Sequence, residues 1–105
     1  MKGITNATNL AVTQKSLECA FANVYYRQTG KVVEVCIVAM NISSGTNVRI
    51  CGGLPIQTSG QFINAVVSNP SGDHTCLVYV NNSGELYYNS TYSEMFYGSL
   101  MYIAD

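Results

Sequence analysis

The sequence predicts an all-β fold, an antiparallel β-sandwich of jelly-roll type with about seven or eight short strands. Three observations carry that prediction. Helical periodicity is hard to find, whereas β-branched and aromatic residues recur in short alternating runs. Clusters of Gly, Asn, Asp and Ser punctuate those runs at intervals of roughly 8 to 12 residues, the turn spacing of a sandwich or barrel. At 105 residues the chain is one domain by size. Such a chain buries roughly 65% of its unfolded surface, enough for a single layered core.

Taken in order, residues 1–15 are rich in Thr and Asn and read as a lead-in segment or an edge strand ahead of a single β-sandwich domain over 16–105. "SLECAFANVYYRQ" alternates well enough for one or two strands, and "QTGK" supplies a turn. "KVVEVCIVAMNI" is the strongest strand, with Val33, Val35, Ile37 and Ala39 on one face and Val32, Cys36, Val38 and Met40 on the other. A strand apolar on both faces is expected to be covered on both, by a second sheet and a loop or by a neighbouring subunit. Glu34 is the odd residue in this run; it is expected to face Arg27 across the turn as a cross-strand pair.

"SSGTN" then turns the chain into "VRIC". In the connection "GGLPIQTSGQ", Pro55 lacks a backbone donor and biases Leu54 toward an extended conformation, ending one strand and crossing to the next. "FINAVVS" is a further strand and "NPSGD" a turn. In "CLVYVNNSGELYYNS", Cys76, Val78 and Val80 alternate against Leu77 and Tyr79. Asn-Asn-Ser-Gly forms a hairpin loop with Gly84 free to take a positive φ, and "ELYYN" runs back. The last run, "FYGSLMYIAD", sets Tyr97, Ser99, Met101 and Ile103 against Phe96, Gly98, Leu100 and Tyr102.

Composition narrows the partners. Only 10% of residues are charged, against about 25% in ordinary soluble domains. Lys2, Lys15, Arg27, Lys31 and Arg49 are scattered, so no basic patch points to nucleic acid or an anionic membrane. The longest apolar run, Val35 to Met40, is far short of a membrane span, and the first residues lack the apolar region of a signal peptide. Cys19, Cys36, Cys51 and Cys76 form no C-x-x-C pair, which argues against a zinc knuckle. They are expected to be free, mostly buried thiols, with disulfides the alternative.

Catalytic material is sparse. His74 is the only histidine. Asp73 precedes it, but adjacent residues on a strand point to opposite faces, and no G-x-S-x-G elbow frames a serine. Glu18, Glu34, Asp73, Glu85, Glu94 and Asp105 show no recognisable pairing of the kind glycosidases use. "GTNVRICGG" lacks the Lys-Ser/Thr of a phosphate loop. N-x-S/T matches begin at Asn6, Asn41, Asn81 and Asn89, but chance supplies such matches in an Asn- and Ser-rich chain. The reading is therefore non-enzymatic, with no metal or cofactor.

Eight tyrosines and no tryptophan are the most suggestive feature. Tyrosine offers contact area and a hydroxyl at little rotamer cost, which suits a recognition surface. Tyr87, Tyr88 and Tyr92 cluster in sequence with Asn81, Asn82, Asn89, Ser90 and Thr91. Alternation requires one of Tyr87 and Tyr88 to face inward, so core or subunit contact competes with ligand contact at every tyrosine.

The order of "GKVVEVCIV" (30–38), "GGLP" (52–55), "LVYVNNSGELYY" (77–88) and "YGSLMYI" (97–103) resembles the C-terminal head domains of phage and prophage tail fibres and baseplate receptor-binding proteins. The resemblance spans roughly residues 16 to 105. It implies a homotrimeric β-sandwich head that binds a bacterial cell-surface saccharide or protein without altering it. It also implies a virion location, at the tail or baseplate tip, after synthesis in the host cytoplasm. Asp73, His74, Tyr87, Tyr88, Asn89 and Tyr92 are the expected ligand contacts. The alternative is a trimerisation cap or virion decoration domain with no ligand of its own.

Overall fold

A computed structural model describes residues 12–57 and 62–104, and within them the chain is all-β. The strands are β1 (Val12–Leu17), β2 (Ala22–Thr29), β3 (Val32–Asn41), β4 (Gly45–Cys51), β5 (Ile63–Ser68), β6 (Thr75–Val80), β7 (Leu86–Ser90) and β8 (Met95–Ile103). All pair antiparallel in the spatial order β1-β2-β3-β8-β5-β6-β7-β4, a single sheet curled into a half-barrel. The Thr- and Asn-rich stretch up to residue 11, including Asn6, lies outside the described residues, as do residues 58–61 and 105. The boundary expected between residues 15 and 16 falls inside β1, an edge strand paired along its length with β2.

The sheet folds over where β8 meets β5, joined by the one residue pair Ser68↔Tyr97. Gly98 makes that corner possible, because a Cβ there would lie 2.6 Å from Val67 Cγ1. Side-chain alternation then sends one face of β2 to β8 into a common core, to which β1 adds the partly buried Leu17. Val33, Val35 and Ile37 of β3, Val78 and Val80 of β6, Leu86 and Tyr88 of β7, and Phe96, Leu100 and Tyr102 of β8 belong to one buried cluster. Phe96, Val33, Val35, Val78, Val80 and Leu86 are completely buried. Burial of a Val, Leu or Phe side chain contributes about 1.5–3 kcal/mol, so this inner face is the main source of stability.

Two expectations for β3 change. A register irregularity between Ile37 and Met40 turns Met40 inward, opposite Phe96, so it leaves the face shared by Val32, Cys36 and Val38. That outer face is not covered within the chain among the described residues: Val32 is 44% and Val38 55% exposed. The neighbouring strand β8 adds Met101 and Ile103 to the same outer side. Arg27 and Glu34 do stand opposite each other in the β2–β3 register, but the guanidinium donates to Gln14 Oε1 at 3.3 Å.

The connection after β4 closes one end of the core. Leu54 is buried, Pro55 O accepts the Tyr102 hydroxyl at 2.7 Å, and buried Gln57 donates to Val80 O at 3.3 Å. The β6–β7 hairpin tip docks there too, with Leu54 N donating to Gly84 O at 3.0 Å. Gly84 has φ 75°, and a Cβ on it would lie 2.2 Å from Leu54 O, so glycine is required for both conformation and space. Asn81 shapes the tip from within, its Oδ1 accepting from Ser83 N and Glu85 N and its Nδ2 donating to Glu85 Oε1.

Candidate functional site

At the opposite end of β4–β7, the segment Asn69–His74 links β5 to β6 and the segment 91–94 links β7 to β8. Asn69 is the hub. It is only 4% exposed, yet it is polar, so burial demands that its amide be satisfied. Its Nδ2 donates to Asp73 Oδ1 at 2.8 Å and to Glu94 Oε1 at 3.0 Å, while its Oδ1 accepts from His74 N at 3.2 Å. Its backbone closes the turn, with Gly72 N donating to Asn69 O and Asn69 N donating to His74 O. Gly72 takes φ 77° within that turn.

These bonds fix the functional groups around the hub. Glu94 Oε2 contacts His74 Nδ1, an ion pair whenever the imidazole is protonated. The His74 ring stacks on Tyr92, centroids 3.8 Å apart and planes 8° from parallel. Tyr92 is positioned by a local loop: Ser90 Oγ donates to Tyr92 O at 2.7 Å and accepts from Tyr92 N at 3.0 Å. Both carboxyls are held below their ordinary range. For Glu94 the causes are the Asn69 amide and then His74; for Asp73 the Asn69 amide comes first.

A shallow cleft of about 280 Å³ adjoins this cluster, lined by Gly45, Thr46, Thr75, Asn89, Ser90 and Thr91. Thr75 and Thr91 are the chain neighbours of His74 and Tyr92. The start of β4 bends to form one wall: the register shifts between Gly45 and Val48, and Asn47 adopts φ 53°. Asn89 Oδ1 holds that bend by accepting from Asn47 N at 2.7 Å, and Asn47 Oδ1 accepts the Tyr79 hydroxyl at 2.9 Å. The cleft thus offers hydroxyls and amides, next to an aromatic pair flanked by two carboxylates. That chemistry suits a polyhydroxylated or amide-bearing ligand.

Of the residues expected from sequence, Asp73, His74 and Tyr92 come together, and Asn89 lines the adjoining cleft. Tyr87 and Tyr88 separate, as alternation requires. Tyr88 turns into the core, 4% exposed, with its hydroxyl donating to Ser43 O at 2.7 Å and its ring edge-on to Phe21. Tyr87 faces outward and stacks on Tyr79, which stacks on Phe62, each pair with centroids 5.3 Å apart. This three-ring ladder crosses the outer side of β6 and β7. Arg49, opposite Tyr87 in the register, pairs with Glu85 at 3.0 Å.

Sequence reasoning passed over Asn69 and Glu94 as site residues. Asn69 opens an Asn-Pro turn, a usable local signal for a side chain that bonds its own loop. Glu94 carries no such signal, because its partners lie 20 and 25 residues away. Among the described residues, no group of three His, Cys, Asp or Glu side chains is placed to hold a metal ion. Comparison with protein-family models gives no match, and comparison with curated proteins gives none.

Proposed function

We propose that this chain is a non-enzymatic receptor-binding head of a phage or prophage tail, recognising a saccharide or protein on a bacterial surface. The observation that carries the reading is the rim cluster itself. Buried Asn69 orders Asp73, His74, Glu94 and Tyr92 beside a cleft walled by Thr46, Thr75, Asn89 and Thr91. Aromatic faces that meet C–H surfaces, with amides and carboxylates that meet hydroxyls, are what sugar recognition uses. Both Glu94 oxygens are already engaged, one by Asn69 and one by His74, which favours a positioning role over proton transfer.

The proposed architecture is a jelly-roll-like sandwich. In support, β3 pairs with β8, β4 with β7 and β5 with β6, nested as in a long hairpin rolled onto itself. The proposed assembly is a homotrimer on the virion tail or baseplate tip. In support, the outer side of β3 and β8 exposes Val32, Val38, Met101 and Ile103 in a chain with only 10% charged residues, the type of surface that subunits cover.

That same apolar face favours a second reading, a trimerisation cap or decoration domain without a ligand. One experiment separates the two. Wild-type protein and the Tyr92→Ala and His74→Ala variants are applied to a bacterial glycan array and to intact cells, with assembly followed by sedimentation. Loss of adhesion from an intact oligomer supports the head. An assembled wild-type protein that adheres to no glycan and no cell supports the cap.

A further inference from the structure

The two edges of the curled sheet are β1 and β4, and their ends meet at a seam. At the end of β1, Leu17 Cδ2 would lie 3.6 Å from a Cβ placed on Gly53, just past the end of β4. Further along, the Phe21 ring meets Tyr88 of β7 edge-on, with centroids 6.1 Å apart. Between those contacts sit two cysteines from opposite edges. Cys51 ends β4 and is 1% exposed, and Cys19 packs against the same core cluster. Each lies two residues from the Leu17–Gly53 contact, and after burial the Cys19 side chain is the next cause that raises the Cys51 thiol. Both are free in this structure.

We propose that Cys19 and Cys51 are an oxidisable pair whose disulfide fastens the seam of the half-barrel. Access is asymmetric and sets the order of events. Cys19 is half-buried and lines a shallow cleft of about 270 Å³ with Ala20, Phe21 and Asn23, so a small disulfide such as oxidised glutathione can reach it. The Cys19 thiolate attacks one sulfur of that disulfide, breaking its S–S bond and releasing one glutathione thiolate. The Cys51 thiolate then attacks the Cys19 sulfur of the mixed disulfide and releases the second. Two protein thiols are oxidised by two electrons in all, and their two protons end on the two glutathione thiols.

The second step is the slow one, because burial pushes the Cys51 thiol up to about 12 and leaves little thiolate at neutral pH. The other two cysteines are differently placed. Cys76 points into the core, where burial raises its thiol to about 11, and Cys36 lies on the outer face of β3 opposite Tyr25. Neither has a cysteine partner across the seam. The pair encloses a loop that includes all of β2, β3 and β4, so joining it restricts the unfolded chain substantially. This inference is independent of the receptor-binding reading.

The test is to incubate the whole chain with oxidised glutathione, then digest it without reductant and map its linkages by mass spectrometry. The expected result is a Cys19–Cys51 linkage within one chain with two thiols still titratable, and a melting temperature about 10 °C or more above the reduced form. Dithiothreitol should reverse both. Cys36→Ser should keep the linkage and the shift, and Cys19→Ser, at the half-buried partner, should abolish them. Four thiols persisting after oxidation would overturn the proposal, as would a linkage through Cys36 between chains or a linked protein with an unchanged melting temperature.

Discussion

Among the described residues there are two aromatic stacks, and they are built in opposite ways. The Phe62–Tyr79–Tyr87 ladder is built on strand register: Tyr79 and Tyr87 are direct partners across β6 and β7, and Phe62, just before β5, stacks on Tyr79. Their rings cover one another, and Tyr79 is left 9% exposed between its two neighbours. The His74–Tyr92 pair has no ladder beneath it. It is assembled from two loops by hydrogen bonds that converge on Asn69. The ladder spends its ring faces on itself and stiffens the sheet. The rim pair presents an edge of polar groups beside a cleft, and its geometry depends on a single buried amide.

The comparison can be broken from either side. Asn69→Ala should have the largest effect, about 3 kcal/mol of stability, because it leaves Glu94 Oε1 and His74 N without their buried partner. Urea unfolding would measure the loss. NMR of the variant should show His74 and Tyr92 signals displaced while Tyr79 and Tyr87 keep theirs. Displacement of the ladder instead would mean that the two stacks are not separately built.

Tyr79→Ala should cost about 2 kcal/mol, since it removes two ring contacts and the hydroxyl bond to Asn47. The same unfolding assay applies, and the His74–Tyr92 signals should stay in place. A change smaller than that of a single exposed tyrosine would show that the ladder contributes nothing to the fold.

Acid should loosen the rim before the ladder. Asp73 and Glu94 are held below the ordinary carboxyl value, so their contribution is complete above the unfolded value, roughly 4. It is lost as pH falls through the lower folded values. Glu85, held low by Asn81 and then Arg49, should release the hairpin tip in the same range. The ring-on-ring contacts of the ladder contain no group that titrates there. A pH series of aromatic NMR shifts checks this, and Glu94→Gln should flatten the His74 and Tyr92 response; ladder rings that move first would contradict it.

Tyr92→Ala should have the smallest effect on stability, under about 1 kcal/mol, because Tyr92 is 39% exposed and its backbone bonds to Ser90 do not need the ring. In the proposed head, this variant unfolds like the wild type and fails to adhere to cells. Full adhesion would remove Tyr92 from the contact surface.

The strands were legible because their signal is local. Alternation in "KVVEVCIVA" and "FYGSLMYI", and turn formers at Gly30, Gly72 and Gly84, follow from pleat geometry and from the φ values glycine allows. Alternation likewise required Tyr87 and Tyr88 to part. Only tertiary structure decided which went inward, since that depends on the Ser43 carbonyl and Phe21 ring that receive Tyr88. The inward turn of Met40 needed a bulge that hydrophobicity does not announce.

The candidate site was half legible for the same reason. Asp73, His74 and Tyr92 stood out by residue type, but Asn69 and Glu94 acquire meaning only when two loops far apart in sequence meet at one end of the sheet. By itself, the sequence determined the strand periodicity, the turns and the low charge, because these are properties of neighbouring residues. The curl of the sheet, the seam that brings Cys19 to Cys51 and the bonds around Asn69 were decided by tertiary structure. Each is a contact between segments whose spacing along the chain carries no periodic signal.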